Sequence, residues 1–244
     1  MGRSLEAARM HRLELEPGVT LLQVPSPRSG IVHRLVCDQL ADGATGGDRP
    51  GRAYWIDARN AASTHALYDA ASSPRVLDGL RVARAFTAYQ HHSLVRTVAR
   101  RAAPTTELLV APNVAALYRD DDLAAWERED LLAATLEILS ELGAVLDCPV
   151  LLTSAGHGSD RDGAAASETV ADYADTELEC TRTREGLRLE AAGDGSNAAS
   201  ATAGYWHGDV WQTTIPYWVE LCGAVDAIDP VVAAHDRGLL EVSP

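Results

Sequence analysis

Apolar positions in the first two thirds of the chain follow two spacings in turn. Short segments with the length and composition of strands, most of them rich in apolar residues, occupy residues 19–24, 52–57, 80–85, 107–111 and 149–153. Between them, apolar residues recur every three or four positions, the spacing of one helix face, over residues 31–40, 63–71, 88–101 and 122–142. Alternating strands and helix-length crossovers predict an α/β fold whose mainly parallel sheet is covered by helices on both faces.

The pattern changes after residue 153. Residues 155–169 are rich in Gly, Ala and Asp and are predicted to form a loop, and residues 175–182 and 186–190 are predicted to form a β-hairpin. Residues 193–204 have low complexity. We therefore predict a core over residues 1–192, followed over residues 193–244 by a flexible linker and an aromatic-rich segment that packs on or extends the core.

The C-terminal segment concentrates aromatic side chains. The chain has 5 Trp and 7 Tyr, and five of these residues lie from Tyr205 onward. Trp206, Trp211 and Trp218 are candidates for partner binding, because Trp and Tyr dominate interface hot spots and base-stacking platforms. The alternative is that these side chains complete the packing of the sheet.

Composition narrows the classes of function. The chain has 35 acidic and 21 basic residues, a net charge of −14, and every basic residue is Arg. Such a balance is typical of an acidic protein from a salt-loving organism with a GC-rich genome, and it argues against a simple nucleic-acid binder, which needs clustered cations. No apolar run reaches the 18 residues or so of a membrane span, and no signal peptide is apparent, so we expect a cytoplasmic protein without a membrane partner.

The residues that most often hold metals form no recognisable site in the sequence. The four Cys are far apart with no C-x-x-C, so neither a zinc site nor a disulfide framework is indicated. His91 and His92 are adjacent on a predicted helix and point about 100° apart, so we predict a solvated or core-edge pair and not a shared ligand face. His207-Gly208-Asp209 is interpreted as a loop turn. No metal and no cofactor are predicted.

Several segments together carry a resemblance to a known family. Residues 80–94 lie between the strand-like Tyr54-Trp55-Ile56-Asp57 and Leu108-Leu109-Val110. In this arrangement the chain resembles the ATPase core of the archaeal RadA and bacterial RecA strand-exchange proteins. Further similarity brings the covered region to about residues 15–190, at residues 122–128, 150–155, 171–178 and 182–188. The resemblance implies a RecA-like, P-loop-type domain with a C-terminal β-hairpin.

The resemblance also places a nucleotide site, and this chain lacks its chemistry. A P-loop has the pattern G-x-x-x-x-G-K-[ST], in which backbone N–H groups and Lys hold phosphates and the hydroxyl binds Mg²⁺. The matching residues are Pro25-Ser26-Pro27-Arg28-Ser29-Gly30-Ile31-Val32. Only Gly30 is retained, since Pro25 replaces the first Gly, Ile31 replaces Lys and Val32 replaces Ser or Thr. Pro25 and Pro27 also remove two N–H donors.

The other nucleotide contacts implied by the resemblance are replaced as well. Arg59 lies where the family has the Glu that activates water, Pro112 where it has the metal-binding Asp, and Ala155 where it has the Gln that senses the γ-phosphate. Arg59 would either cross the vacated site and pair with an acid such as Asp57, or stay free to bind an anion at the helix N-terminus. We favour the paired version, because an unpaired buried charge is costly. The predicted vestigial pocket, with no catalytic residue, consists of Pro25, Arg28, Ser29, Gly30, Ile31, Val32, Arg59, Pro112 and Ala155.

The two loops that would face DNA in the family are acidic in this chain. Residues 119–130 contain six acidic and two basic residues, and residues 156–169 contain three acidic and one basic residue. We therefore expect weak or indirect DNA binding. The resulting hypothesis is a catalytically inactive RecA/RadA-like paralogue, an accessory or regulatory protein in archaeal DNA repair or recombination whose protein partners include a RadA-like recombinase. Two alternatives are a RadA-like recombinase whose ATP site is completed by a neighbouring subunit, and a regulator unrelated to DNA that reuses the fold.

Overall fold

The computed structural model describes residues 13, 15–43, 51–120, 122–155, 161–183, 186–191, 204–207 and 210–213. Two single-turn 3₁₀ helices, Pro74–Leu77 and Ala116–Arg119, accompany the longer elements. In chain order these elements are β1 (Gly18–Val24), α1 (Ile31–Gly43), β2 (Arg52–Ala58), α2 (Thr64–Ala70), β3 (Leu80–Ala85), α3 (Ala88–Arg101), β4 (Thr106–Ala111), α4 (Ala125–Leu146), β5 (Pro149–Ala155), α5 (Arg161–Ala171), β6 (Thr176–Thr183), β7 (Gly186–Ala191), β8 (Gly204–His207) and β9 (Val210–Thr213).

The strands form one sheet in the order β3-β2-β4-β5-β1-β6-β7-β8-β9. The first six strands of this order are parallel to one another, and β7, β8 and β9 each pair antiparallel with the strand before. The predicted α/β fold with a mainly parallel sheet is therefore confirmed. Within the described residues, no helix combines the length and the apolar character needed to cross a membrane.

Each face of the sheet buries its own apolar core. Along β1, Leu22 and Val24 face a cluster with α1 and α2, whereas Val19 and Leu21 face a cluster with α3, α4 and α5. This alternation follows from the two-residue period of a strand. Helices thus cover both faces, and β1 and β5 are buried along most of their length, as expected of strands covered on both sides.

Local signals explain where several helices begin and end. Ser63 and Thr87 are the N-caps of α2 and α3, where their hydroxyls accept hydrogen bonds from Ala66 N (3.3 Å) and Gln90 N (3.2 Å). Helix α4 ends at Asp147, whose φ of 51° is left-handed. Gly143 lies one turn earlier, where an added Cβ would come within 2.6 Å of Val150 Cγ2, so the close approach of α4 to β5 requires glycine.

The structure corrects the predicted loop over residues 155–169. Residues 161–171 form α5, and Val170 at its end is buried against the second core. The run Ala164-Ala165-Ala166 explains the helix, since Ala has the highest helix propensity and the prediction gave more weight to the neighbouring Gly and Asp. Residues 156–160 lie outside the described residues.

The region after residue 192 contributes two short strands. β8 pairs with β7 and extends the sheet, and Trp206 on β8 lies opposite Trp211 on β9. The low-complexity residues 193–203 lie outside the described residues, as does Trp218.

Candidate functional site

The strand order creates a crevice at one edge of the sheet. β1 and β2 lead into α1 and α2 on one face, whereas β4 and β5 lead into α4 and α5 on the other. Where neighbouring parallel strands send their connections to opposite faces, the connections diverge and leave a space beyond the carboxyl ends of the strands. A crevice of about 410 Å³ lies there, lined by Pro27, Arg28, Arg59, Ala61, Asn113, Ala116, Arg119 and Asp120.

The loop after β1 uses its own N–H groups within itself. Ser29 N donates to the Ser26 carbonyl (3.0 Å), and Arg28 N contacts Ser26 Oγ at 3.4 Å. Pro25 and Pro27 have no N–H. A Cβ added at Gly30 would meet no atom within 4 Å, so this position does not require glycine. The loop therefore offers few backbone donors to an anion.

The two residues at which the resemblance implies a P-loop Lys and a hydroxyl are part of the apolar core. Ile31 is 0% exposed and Val32 is 4% exposed, and both pack in the cluster beneath α1. At the start of α1, the side chains of Ile31 and Val32 thus pack into the core. They supply the crevice with neither a cation nor a hydroxyl.

Arg59 links the end of β2 to the segment after β4. Its Nε donates to the Ala116 carbonyl (3.3 Å), and its Nη2 forms an ion pair with Asp120. Arg59 and Asn60 both have left-handed backbones, with φ of 59° and 60°. These angles are uncommon for residues with a Cβ, so the tight turn after β2 is held by its surroundings. The Arg59 side chain is 51% exposed.

Arg59 pairs with an acid, as expected, but the acid is Asp120 and not Asp57. Asp57 accepts hydrogen bonds from Ala61 N (2.7 Å) and Ala62 N (3.1 Å), and Arg84 Nε lies 3.3 Å from its Oδ2. The left-handed turn brings the N–H groups of residues 61 and 62 back to the carboxylate, which leaves Arg59 outside. Burial raises the pKa of Asp57, and these donors oppose that rise.

A buried histidine lies below the same turn. His33 Nε2 accepts a hydrogen bond from Ser63 N (3.0 Å), and the His33 ring packs 5.1 Å from the Trp55 ring. Burial lowers the pKa of His33. The accepted hydrogen bond and the lowered pKa both favour the neutral ring, so His33 connects α1 to the start of α2 without adding a charge.

Asn113 ties the other wall of the crevice to the loop after β1. Its backbone is left-handed (φ 53°), and its Nδ2 donates to the Pro27 carbonyl (3.0 Å). Its N–H donates to Thr153 Oγ1 (2.8 Å) at the end of β5. Its Oδ1 is buried and has no hydrogen-bond partner within the described residues. Sequence comparison placed Pro112 here as the vestigial residue, but the amide beside it lines the crevice.

The structure separates the nine predicted pocket residues into groups. Only Arg28 and Arg59 line the crevice, and Pro25, Ser29 and Gly30 flank it in the loop after β1. Pro112 is buried and Ala155 is the half-buried last residue of β5. Six lining residues were absent from the predicted pocket, because loop packing decides which neighbours of the motif positions face the crevice: Pro27, Ala61, Asn113, Ala116, Arg119 and Asp120.

The histidine pair joins a buried network on the other side of the 3₁₀ helix Ala116–Arg119. His91 Nδ1 contacts Tyr118 Oη (2.9 Å), Tyr118 Oη contacts Thr135 Oγ1 (2.9 Å), and Thr135 Oγ1 also contacts His92 Nδ1 (3.0 Å). Thr135 donates its one hydroxyl proton to the Leu131 carbonyl (2.7 Å). Tyr118 therefore donates to Thr135, and both histidines donate from Nδ1.

This network corrects the prediction of a solvated or core-edge pair. His91 is 0% exposed, and burial lowers its pKa to about 4, so the ring is neutral near pH 7. We call His91, His92, Tyr118 and Thr135 the histidine cluster. It fixes α3, α4 and the 3₁₀ helix to one another, and no sequence motif indicated it because its members are up to 44 residues apart.

Among the residues that the structure describes, no group of three or more His, Cys, Asp or Glu could hold a metal ion. Comparison of the chain with models of known protein families gives no match, and comparison with curated proteins gives none.

Proposed function

We propose that this chain is a catalytically inactive relative of the RecA/RadA ATPases and acts through protein partners as an accessory or regulatory protein in DNA repair or recombination. The observation that carries the proposal is the position of Arg59. Its guanidinium reaches from the end of β2 to Ala116 and Asp120, at the position where the family resemblance implies a water-activating Glu.

The placement of the vestigial positions supports the resemblance. The loop over residues 25–30 follows β1, Arg59 follows β2, Pro112 follows β4 and Ala155 ends β5, and these four strands are neighbours in the sheet. Their carboxyl ends therefore lie side by side at the edge where open α/β sheets bind ligands, and Arg28 and Arg59 line the crevice there. A P-loop-type ancestor accounts for this arrangement.

The chemistry of the crevice supports the loss of ATPase activity. Phosphoryl transfer depends almost entirely on positioned charges, namely a Lys, a metal ion and a residue that orients the nucleophile. Here Ile31 and Val32 are in the core, the Asn113 amide is tied to Pro27, and Arg59 is paired with Asp120. Each part of the machinery is replaced by a group that makes a structural contact instead.

The acidic surface beside the crevice supports action through proteins and not through DNA. Residues 122–130 form the end of a connection and the first turns of α4, and Asp122, Glu129 and Asp130 are exposed there. A phosphate backbone would approach this surface against like charge. Residues 161–169 of the second candidate loop are helical, and residues 156–160 lie outside the described residues.

The experiment is affinity purification of the tagged full chain from its native host at high salt. Co-recovery of a RadA-like recombinase, confirmed with the two purified proteins, is the expected result. Recovery of metabolic or signalling proteins alone would contradict the proposed role in recombination. A variant with Trp206→Ala and Trp211→Ala tests whether β8 and β9 contact the partner, and Arg75→Ala, an exposed substitution before β3, serves as its control.

A further inference from the structure

The crevice gathers positive charge in a strongly acidic protein. Arg28, Arg59 and Arg119 line it, and Asp120 is the carboxylate among its lining residues. The chain as a whole carries a net charge of −14. Three guanidinium groups around one space of about 410 Å³ therefore stand out from the average surface. Because Asp120 neutralises one of them, the lining keeps an excess of two positive charges.

The three arginines differ in how they are held. Arg59 is positioned by the Ala116 carbonyl and by Asp120. For the guanidinium groups of Arg28 and Arg119, the described part of the chain provides no hydrogen-bond or ion-pair partner. Arg59 is thus held in place at the side of the crevice. Within the described residues, Arg28 and Arg119 keep all their N–H donors for a ligand.

Asn113 is the buried polar residue of the crevice lining. The residue is 6% exposed, and its Nδ2 is held by the Pro27 carbonyl. Its side chain therefore fixes the loop after β1 against the segment after β4, and the arginines are the groups left to contact a ligand.

We propose that this crevice is a binding site for carboxylates, held by Arg28 and Arg119 beside the fixed Arg59–Asp120 pair. The planar guanidinium fork matches a carboxylate in two parallel hydrogen bonds. The excess of two positive charges fits a ligand with two or more carboxylates.

The loop after β1 argues for carboxylates over phosphates. Phosphate sites at helix starts use a series of free backbone N–H groups. Here Pro25 and Pro27 have none and Ser29 N already donates to Ser26. Recognition therefore falls to side chains, and the crevice is open enough for a chain segment to enter. A small polycarboxylic acid and the acidic side chains of a protein both supply the group. Binding of a protein's acidic side chains would also rest on the proposed function, whereas binding of a small polycarboxylic acid would not.

Titration calorimetry on the full chain tests the site, at the lowest salt that keeps the chain folded. The probes are citrate, a hexaglutamate peptide and pyrophosphate. We expect saturable binding of citrate or of the peptide, weakened about tenfold for each guanidinium removed in Arg28→Ala and Arg119→Ala. Arg75→Ala removes an exposed guanidinium just before β3, at the opposite edge of the sheet, and should leave affinity unchanged.

The results with the three probes show whether the crevice binds carboxylates and from which source. Binding of citrate alone assigns a small-molecule site, and binding of the peptide alone assigns an acidic segment of a partner. Binding of neither overturns the inference. Tighter binding of pyrophosphate than of either carboxylate also overturns it, as does equal weakening by Arg75→Ala. A failure of the proposed recombination role leaves citrate binding unaffected, so the two proposals fail separately.

Discussion

The 3₁₀ helix Ala116–Arg119 has polar networks on both of its sides, and the two differ in almost every physical respect. On one side, the Ala116 carbonyl and Asp120 hold Arg59 in an open crevice. On the other, Tyr118 joins the histidine cluster, where His91 is completely buried. Residues 116–120 thus take part both in a solvent-accessible ion pair and in a series of neutral hydrogen bonds in the core.

The difference in burial means that the histidine cluster contributes more to stability than the exposed Arg59–Asp120 ion pair. A buried donor or acceptor that loses its partner costs about 1–3 kcal/mol, because water cannot replace it. An exposed ion pair contributes about 0–1 kcal/mol and is screened by salt. We infer that the histidine cluster stabilises the packing of α3 and α4, whereas the crevice is free to carry a function.

The largest expected effect is the pH dependence caused by His91. Burial lowers its pKa to about 4, and an unfolded His titrates near 6.5. Between these values the unfolded chain binds a proton that the folded chain does not, so the stability contributed by neutral His91 is complete above about pH 6.5 and is lost as the pH falls towards 4. The shift corresponds to a change on the order of 3 kcal/mol in the free energy of unfolding.

Denaturant unfolding of the natural chain and of His91→Asn between about pH 7.5 and about pH 4.5 measures this effect. The Asn amide can keep a donor near Tyr118 but takes up no proton. The difference in stability between the two proteins should shrink as the pH falls, and the contributions of the carboxylates and of the other histidines largely cancel. A difference that stays constant with pH would contradict the assignment of a neutral, buried His91.

A smaller effect is expected from the hydroxyl of Tyr118. Tyr118→Phe leaves both His91 Nδ1 and Thr135 Oγ1 without this partner and should lower the free energy of unfolding by about 2 kcal/mol. Tyr54→Phe is the matched control, because the half-buried Tyr54 hydroxyl donates to the Arg101 carbonyl at 3.2 Å in a more open setting. Its loss should cost under about 1 kcal/mol. Equal losses would remove the distinction between the two environments.

The Arg59–Asp120 ion pair should contribute less to the free energy of unfolding than either His91 or the Tyr118 hydroxyl. A double-mutant cycle with Arg59→Ala and Asp120→Ala should give a coupling free energy of about 0.2–1 kcal/mol that falls as salt is added. A coupling above about 2 kcal/mol, independent of salt, would mean that the pair is as important to the fold as the histidine cluster.

The weakest expected interaction is with DNA. Binding of single-stranded DNA by the full chain should be weak and should disappear at molar salt, because the described part of the surface after β4 is acidic. Fluorescence anisotropy with a labelled oligonucleotide measures it. Nanomolar affinity at high salt would instead assign the aromatic C-terminal segment as a stacking platform.

Sequence periodicity was sufficient for β1 to β7 and for most of the helices, whereas β8 and β9 were not predicted as strands. β5 contains the apolar run Val150-Leu151-Leu152 and α4 has a sustained apolar face, so both are visible in a single sequence. Helix α5 was missed because its apolar contribution is small and its Gly and Asp suggested a loop. Hydrophobic periodicity predicts a helix or strand wherever burial determines which residue types occur along it.

The site was predicted less completely, for a physical reason. Motif comparison located Arg28 and Arg59 but could not show that Arg59 meets Asp120, which is 61 residues away in the chain. That pairing depends on the left-handed turn at Arg59 and Asn60 and on the 3₁₀ helix after β4, and neither is encoded by residue spacing. The histidine cluster was missed for the same reason, because it depends on packing between helices.

Thermal unfolding with ATP and Mg²⁺ tests whether the crevice binds a nucleotide, which the proposed loss of the ATPase site excludes. A ligand at a hundredfold excess over its Kd raises stability by about 2.7 kcal/mol, which is a readily measured rise in Tm. We predict no change for the natural chain, and none for Arg59→Ala, because Ile31 and Val32 still supply neither cation nor hydroxyl. A clear rise in Tm that depends on ATP and Mg²⁺ would contradict the account.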